Sequence, residues 1–293
     1  MSWWVVVNPS SGRGRELERR SRSALASAGV DHVVRVSESA SHVAELVAEG
    51  RREGASNFAS VGGDGTAHLV VDAVFAEPWP EPPTIAILPA GSGSDFIRTF
   101  GLPRTIEEMA AHLATPDRYR CDVGAIEGSF GLKHVLNVAD VGVAAASARV
   151  AERLPRRLGA LRYGLSFWAA LARFPAAPVR LETESRSYEG PALNVVVANG
   201  QFFGGGMNIA PRAMLVDGEF DIQVFLGPRR RAFTLMPRVI RGLHLGHPAV
   251  RRFSSASFRL SCPESWPVEA DGELLGRGPV TGRVLPGAID FKI

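Results

Sequence analysis

Apolar and polar positions in the first third of the chain follow two alternating periods. Trp3–Val7 is a short continuous apolar run, typical of a strand buried on both faces, and the charged stretch Arg15–Ala28 that follows carries its apolar residues at helical spacing. The alternation recurs and predicts βαβ units around a parallel sheet. The further predicted strands are Val33–Val36, Asn57–Val61 and Thr84–Leu88, and the further predicted helices are Ser41–Gly54, Ala67–Phe75 and Ile106–Ala114.

The pattern changes after Arg120 to short β-rich segments. Such a series is typical of an antiparallel β domain. Two helical inserts are predicted within it, one around Leu158–Ala172 and one around Arg230–Leu243. The predicted strands are Cys121–Ile126, Lys133–Val138, Val179–Thr183, Ser187–Val197, Phe220–Phe225, Ser257–Cys262, Val268–Ala270 and Gly282–Val284.

Length and composition are those of a globular protein with two cores. The 293 residues favour two domains, and 45% of them are hydrophobic. The net charge of +3 is carried almost wholly by arginine, since Lys133 and Lys292 are the only lysines. A basic face toward a nucleotide or an anionic lipid is therefore reasonable, and no nucleic acid partner is expected. Cys121 and Cys262 lack neighbours at metal-ligand spacing, which disfavours a zinc site or a disulfide framework.

The expected location is the cytoplasm, because the amino-terminal segment lacks the basic lead and the longer apolar stretch of a secretory signal. The best candidate for a membrane span, Leu158 to Phe174, is broken by Arg162 and Arg173. Membrane contact is thus expected to be peripheral, at the inner face. Two segments, Leu154–Phe174 and Arg229–Phe253, mix arginines with large apolar residues. This composition is typical of helices that rest on an anionic membrane or line an acyl site, and it is also found in ordinary core helices.

Three glycine-containing loops follow predicted strands. Ligands of open α/β sheets bind outside the carboxyl ends of the strands, where backbone N–H groups face outward. Glycines with positive φ would let a phosphate approach the backbone, with Thr66 capping the next helix. Each loop alone could be a tight turn, with Asp64 a structural acceptor, but together they predict one site for nucleotide phosphates. The loops are Asn8-Pro9-Ser10-Ser11-Gly12, Gly62-Gly63-Asp64-Gly65-Thr66 and Gly91-Ser92-Gly93-Ser94-Asp95.

These loops and several later motifs resemble the bacterial diacylglycerol kinase-like lipid kinases, which are related to sphingosine and ceramide kinases and more remotely to NAD kinases. The resemblance spans nearly the whole chain. Its motifs are the Asn8-Pro9 loop, Gly62–Thr66, Gly91–Arg98, Asn199-Gly200 with Gly204-Gly205-Gly206-Met207 and Ala210-Pro211, Val216-Asp217-Gly218, and Asp271-Gly272-Glu273.

The resemblance implies an NAD kinase/diacylglycerol kinase-like fold. An α/β nucleotide-binding domain would span residues 1–120, with residues 285–293 returning to it, and an antiparallel β-sandwich domain with helical inserts would span residues 121–284. ATP would bind in the cleft between them and, with Mg²⁺, phosphorylate a lipid hydroxyl, for which we expect diacylglycerol. The implied nucleotide-binding residues are Asn8, Ser10, Ser11, Gly12, Arg13, Gly14, Ser37, Gly62, Gly63, Asp64, Gly65, Thr66, His68, Gly91, Ser92 and Asp95.

The same resemblance places Asp271 and Glu273 at the catalytic tip, with Asp271 as the base that accepts the proton of the attacking hydroxyl. The local sequence is also that of a hairpin turn. A structural magnesium loop is implied as well, formed by the Asp217 side chain with the carbonyls of Met214 and Glu219, although a plain Asp-Gly turn is the alternative. A catalytic magnesium ion would arrive with ATP, aided by Asp64 or Asp95.

Three departures from the family pattern keep other functions open. His68 and Leu69 replace the usual Asn-Glu pair, and Ser94 replaces the usual Asn. We interpret His68 as a helix-surface histidine in preference to a nucleotide contact. One alternative is a non-catalytic lipid- or nucleotide-binding regulatory protein, and another is an NAD kinase-like enzyme. The expected partner is a lipid substrate at the membrane surface, and a homodimer stays open.

Overall fold

A computed structural model describes residues 2–9, 14–90, 94–155 and 161–293 of the chain. Two compact units are present, one formed by Met1–Val123 with Pro286–Ile293 and the other by Gly124–Leu285. None of the helices in these described ranges is long and apolar enough to cross a bilayer.

The elements as far as the boundary between the units are β1 (Trp3–Val7), α1 (Arg15–Ser27), β2 (His32–Val36), α2 (Ala40–Arg52), β3 (Asn57–Gly62), α3 (Asp64–Val74), β4 (Thr84–Pro89), α4 (Asp95–Arg98), α5 (Ile106–Leu113) and β5 (Arg118–Gly128). The later elements are β6 (Gly131–Val135), β7 (Val138–Gly142), α6 (Val143–Arg153), α7 (Leu161–Arg173), β8 (Ala177–Thr183), β9 (Ser187–Ala198), β10 (Phe202–Phe203), β11 (Met207–Asn208), β12 (Phe220–Leu226), a 3₁₀ helix (Arg229–Arg231), α8 (Ala232–Ile240), β13 (Val250–Ser255), β14 (Ser257–Ser261), β15 (Pro267–Ala270), β16 (Glu273–Arg277) and β17 (Val280–Lys292).

The first unit is built on a parallel sheet with the strand order β2-β1-β3-β4-β17. Every residue of β1, β3 and β4 is buried, which explains their continuous apolar sequences. Val5 of β1 packs in one core with Leu25 of α1 and Met109 of α5. On the other face the α2 backbone at Gly50 lies against the Trp4 ring. Helices therefore cover both faces of the sheet.

The second unit is antiparallel. Its strand order is β16-β15-β7-β9-β8-β14-β17, and β12 joins β9 to β13. The long strand β9 pairs with β8 along its first half and with both β7 and β12 along its second half. Inward side chains of these strands, such as Phe220, form one buried cluster with Trp266, which precedes β15.

Three of the predicted elements differ from the structure in ways that affect the site or the helical segments. Helix α3 begins at Asp64 instead of Ala67, so Thr66 is not its cap. The predicted strand Lys133–Val138 is broken into β6 and β7, because the backbone N–H groups at the break bond to Asp271. The end of the segment interpreted as helical, Arg229–Phe253, enters strand β13.

Helix α6 is absent from the prediction because its N-terminus has no capping side chain of its own. The residue before it, Gly142, has φ 125°. The N–H of Ala144 instead donates to Oδ1 of Asn194 on β9, at 2.9 Å. A cap that comes from a distant strand leaves no local signal in the sequence.

Candidate functional site

The three loops of the first unit leave the sheet at one level. The ladder continues one residue beyond each strand: Ser37 N–H donates to the Val7 carbonyl at 2.9 Å, Asn8 N–H to Val61 at 3.1 Å, and Ala90 N–H to Gly62 at 3.0 Å. The loops that follow β1, β3 and β4 therefore start side by side at the carboxyl edge. This is the edge at which parallel α/β sheets bind ligands.

Asp64 joins the second loop to the third. Its Oδ2 accepts the N–H of Ser94 at 2.7 Å, and its Oδ1 accepts the N–H of Asp95 at 2.8 Å and that of Phe96 at 3.5 Å. Asp64 is also the first residue of α3, where a negative charge is favoured by the helix dipole. The interpretation of Asp64 as a structural acceptor is thus confirmed by its contacts, and its effect is to fix the exit of the third loop.

Thr66 joins the first loop to the second. It is buried within α3, and its Oγ1 accepts a hydrogen bond from Nδ2 of Asn8 at 3.1 Å. The expected positive φ is wrong for Gly62, Gly63 and Gly65, since these residues are not among those with left-handed backbone. Gly63 has φ −97°, and a Cβ built on it meets no described atom within 4 Å. Its lack of a side chain keeps open space beside the backbone at the N-terminus of α3.

Other predicted residues of the first unit have local structural roles. Ser37 is buried, and its hydroxyl donates to the Val7 carbonyl at 3.2 Å. Gly14 precedes α1 with φ 55°. Asp95 is buried with its Oδ1 3.2 Å from Nε of Arg98. His68 is only 2% exposed, so its interpretation as a helix-surface histidine is wrong.

Six of the predicted nucleotide-binding residues lie outside the described residues. They are Ser10, Ser11, Gly12, Arg13, Gly91 and Ser92.

Asp271 and Gly272 form the two-residue turn between β15 and β16, both with positive φ, at 49° and 92°. This is the backbone of a type I′ hairpin. The Asp271 carboxylate accepts backbone N–H groups from Leu136 at 2.8 Å, Asn137 at 2.9 Å and Val138 at 3.0 Å. Asp271 is buried, whereas Glu273 is exposed. The hairpin interpretation is confirmed, and the carboxylate is held in a fixed orientation.

The Asn199-Gly200 motif contacts the same β6–β7 connection. Both backbone N–H groups donate to the Asn137 carbonyl at 2.8 Å, and Nδ2 of Asn199 donates to the Leu136 carbonyl at 2.8 Å. A Cβ at Gly200 would lie 2.1 Å from Oδ1 of Asn137, so a larger residue there would displace the Asn137 side chain. Two separate sequence motifs therefore converge on one loop, which positions Asp271.

A buried carboxyl pair lies beside this hairpin and was not predicted. Asp140 of β7 and Glu269 of β15 are cross-strand neighbours, each 1% exposed. Asp140 accepts a hydrogen bond from Asn194, and Glu269 accepts the N–H of Gly272 at 2.6 Å. Burial raises the pKa of Asp140 to about 7. Burial and then the charge of Asp140 raise the pKa of Glu269 well above its ordinary value.

The predicted magnesium loop is an exposed turn. Met214, Asp217 and Glu219 are all exposed, and Oδ1 of Asp217 accepts the N–H of Glu219 at 3.1 Å. Ser254 donates to the Glu219 carboxylate. No group of three or more His, Cys, Asp or Glu side chains suited to a metal occurs in the part of the chain that the structure describes. The implied magnesium loop does not need such a group of side chains. Its three oxygen donors are the Asp217 carboxylate and two main-chain carbonyls, and oxygen donors of both kinds suit a hard cation.

The chain is similar to known proteins in both of its units. Residues 2–126 match the model of the diacylglycerol kinase catalytic domain, and residues 137–292 match that of the YegS C-terminal NAD kinase beta sandwich-like domain. The lipid kinase YegS of Escherichia coli (strain K12) is 23% identical over 272 residues, which cover 89% of this chain and 85% of that protein.

Solved structures share the fold. The crystal structure of a diacylglycerol kinase from Bacillus anthracis str. Sterne aligns with a TM-score of 0.75 at 22% identity, over 99% of this chain and 96% of that chain. A further crystal structure from the same organism gives a TM-score of 0.83 at 22% identity, over 99% and 94%. The predicted fold class, an α/β nucleotide-binding domain followed by a β-sandwich domain, is confirmed.

Proposed function

The chain belongs to the YegS family of diacylglycerol kinase-like proteins, and we propose that it is a lipid kinase that transfers the γ-phosphoryl group of ATP to a lipid hydroxyl. The acceptor that we propose is diacylglycerol. The observation that carries the proposal is the bonding of Asp64 to the backbone of Ser94 and Asp95. It holds two loops together at the sheet edge, where backbone N–H groups can converge on phosphates.

In the proposed reaction the lipid hydroxyl oxygen attacks the γ-phosphorus. The new P–O bond forms as the bond from the γ-phosphorus to the β,γ-bridging oxygen breaks, and ADP leaves with that oxygen. The hydroxyl proton passes to the carboxylate of Asp271, with Glu273 next to it on the hairpin. Phosphoryl transfer depends mainly on positioning and charge neutralisation, so the N–H groups of Gly63, Asp64 and Gly65 would stabilise charge on the phosphates.

Two sets of oxygen ligands are proposed for magnesium. Asp64 or Asp95 would contact the ion that accompanies ATP, and Asp217 with the carbonyls of Met214 and Glu219 would hold a structural ion. When bound with the nucleotide, Mg²⁺ neutralises phosphate charge. The remaining nucleotide contacts that we propose come from the loop after β1, from Gly14 and from Ser37.

A second candidate function is a non-catalytic lipid- or nucleotide-binding regulatory protein. It is favoured by the three backbone N–H groups that hold the Asp271 carboxylate, because this structural role would preserve Asp271 without catalysis. An NAD kinase-like activity is a third candidate, on the strength of Gly62–Thr66 alone.

The test is a phosphorylation assay with radiolabelled ATP and micelles of diacylglycerol, a sphingoid base or phosphatidylglycerol, with products identified by mass spectrometry. We expect labelled phosphatidic acid from diacylglycerol, and a loss of about 10²–10⁴-fold in kcat for Asp271→Asn. Label in no lipid, together with tight ATP binding, would favour the regulatory protein. A parallel reaction offers NAD as the acceptor, and labelled NADP from it would favour the NAD kinase-like enzyme.

A further inference from the structure

Helices α7 and α8 of the second unit carry apolar residues on their outer faces as well as their inner ones. The inner residues of α7, such as Leu171, and those of α8, such as Leu235, are buried. The outer face of α7 carries Leu161, Leu165 and Trp168 at spacings of four and three residues, with exposures of 71%, 54% and 37%. This spacing places all three side chains on one stripe of the helix.

Helix α8 and the turn after it add three exposed apolar side chains, one of which contacts this stripe. Phe233 is 68% exposed, and its ring stacks on that of Trp168 with 4.8 Å between centroids and 20° between planes. Ile240 and Leu243 follow, with exposures of 56% and 68%. We call these six side chains the apolar ridge: Leu161, Leu165, Trp168, Phe233, Ile240 and Leu243. A set of large apolar side chains exposed together marks an interaction surface more often than isolated ones do.

Arg229 holds the two helices of the ridge together. Its Nε donates to the Phe174 carbonyl at 2.6 Å and its Nη1 to the Ala172 carbonyl at 2.8 Å. These carbonyls lie at the C-terminal end of α7, where a positive charge is favoured. The ridge is therefore a built surface, with the 3₁₀ helix before α8 anchored on the end of α7.

The two segments that carry the ridge have charges of one sign. The sequence contains no Asp or Glu from Arg153 to Arg173, nor from Arg229 to Leu243. Arginines occupy both stretches, and the exposed ones on or next to the two helices are Arg173, Arg230, Arg231, Arg238 and Arg241. Large apolar side chains flanked by arginine match a bilayer interface, with apolar groups at the acyl boundary and guanidinium groups at anionic headgroups.

We propose that the apolar ridge is the surface by which this protein docks on an anionic phospholipid bilayer. A second copy of the chain fits this surface less well, because two such faces would bring arginines against arginines. The inference deepens the proposed function and rests on it, since the acceptor lipid resides in the bilayer. Docking itself needs neither ATP nor catalysis.

The experiment measures binding to vesicles without ATP. Full-length protein is titrated with vesicles of phosphatidylcholine alone or with 30 mol% phosphatidylglycerol and assayed by sedimentation. We expect binding to the mixed vesicles only, weakened by salt. Arg230→Ala with Arg231→Ala should weaken it about 25-fold, from about fivefold for each arginine. Phe233→Ser should weaken it about tenfold.

Matched controls carry the same chemical changes away from the ridge. Arg180→Ala with Arg259→Ala removes two exposed arginines from β8 and β14, and Leu132→Ser alters an exposed leucine of β6. Both control variants should bind the mixed vesicles with nearly wild-type affinity, because the lower net charge of the double arginine variant has only a small effect. Equal losses in ridge and control variants would overturn the proposal.

A second readout is the tryptophan fluorescence of the wild-type protein, with the conservative variant Trp168→Phe as its control. Trp3, Trp4 and Trp266 are buried and Trp79 is half-buried, whereas Trp168 is exposed. Brominated acyl chains should therefore quench wild-type fluorescence, and Trp168→Phe should abolish that quenching. Unquenched fluorescence of vesicle-bound protein would overturn the proposal. Sedimentation velocity tests whether the ridge is instead a dimer interface. Ridge variants that abolish a dimer but bind vesicles like the wild type would also overturn the proposal. Phosphorylation of detergent-dispersed diacylglycerol tests the proposed function separately from docking.

Discussion

Asp140 and Glu269 face each other across β7 and β15 with both carboxyl groups almost fully buried. The other charges that act on Glu269 are those of Asp271 and Glu273, which are negative too. Neighbouring buried carboxyl groups disfavour double ionisation, so the pair retains a proton near neutral pH. Because Glu269 also accepts the N–H of Gly272, this proton lies next to the turn that carries Asp271.

The pair predicts that stability falls as pH rises toward neutrality. The pKa of Asp140 is raised from 3.8 to about 7, so the folded protein binds more protons than the unfolded chain between these values. The stability that Asp140 contributes should therefore be fully present below about pH 4 and be lost as pH rises through about 7. The free energy of unfolding should fall by at most about 1.4 kcal/mol per pH unit for each proton. Urea unfolding from pH 5 to 8 measures the slope.

The matched variants for that measurement are Asp140→Asn and Glu273→Gln. The first removes one member of the buried pair and should flatten the pH dependence. The second removes an exposed charge that has the smallest of the effects on Glu269, so it should leave nearly the whole slope. A wild-type slope in Asp140→Asn would contradict this account of the pair.

Asp271→Asn should destabilise the protein as well as affect activity. An amide can direct only one oxygen at the N–H groups of Leu136, Asn137 and Val138, which leaves at least one of them with a poorer acceptor. We expect a loss of about 1.5–3 kcal/mol in the free energy of unfolding, measured in urea. Glu273→Gln should change it by less than about 0.5 kcal/mol.

Those two variants also separate the proposed roles of Asp271. If Asp271 is the base, Asp271→Asn should lose kcat under conditions where the variant is still fully folded, as verified by circular dichroism. A variant that is folded and retains wild-type kcat would leave Asp271 with its structural role alone.

Asp64→Asn should loosen the connection between the second and third loops. The Asp64 carboxylate accepts N–H groups from consecutive residues at the start of α4, and an amide loses the charge and one acceptor. We expect a loss of about 1.5–3 kcal/mol in stability and weaker ATP binding, measured by urea unfolding and calorimetry. Glu45→Gln, an exposed change on α2, is the control. Normal ATP affinity in Asp64→Asn would show that the connection does not support the phosphate site.

Much of the fold could be predicted because strands that are buried on both faces have continuous apolar sequences. Trp3–Val7 was predicted as a strand and is β1, since a parallel strand covered on both faces has no polar side to show. By contrast, the alternation in Val268-Glu269-Ala270 suggests an exposed glutamate, and Glu269 is buried opposite Asp140. The side chain lies on the face away from the sandwich core, and tertiary packing covers that face too.

The site could be predicted in its residues but not in their contacts. Gly62–Thr66 was recognisable as a motif, yet the N–H groups that Asp64 accepts lie about 30 residues further along the chain. His68 follows that motif on α3. A polar residue on a helix is expected to face solvent, but the packing of α3 buries His68. Such relationships are set by the arrangement of several elements, which no local pattern contains.

Gly63→Ala separates the fold from the phosphate site. Gly63 has φ −97°, which any residue adopts, and a methyl group there meets no described atom within 4 Å. The variant should therefore keep its stability to within about 0.5 kcal/mol. If the N-terminus of α3 receives a phosphate, the same methyl group occupies space that the phosphate needs, and ATP affinity should fall by at least about tenfold in calorimetry. Gly200→Ala is the converse control, because its Cβ would lie 2.1 Å from Oδ1 of Asn137 and should cost stability first. Unchanged ATP affinity in a stable Gly63→Ala would contradict the placement of nucleotide phosphates at this loop, whatever the outcome for Asp271.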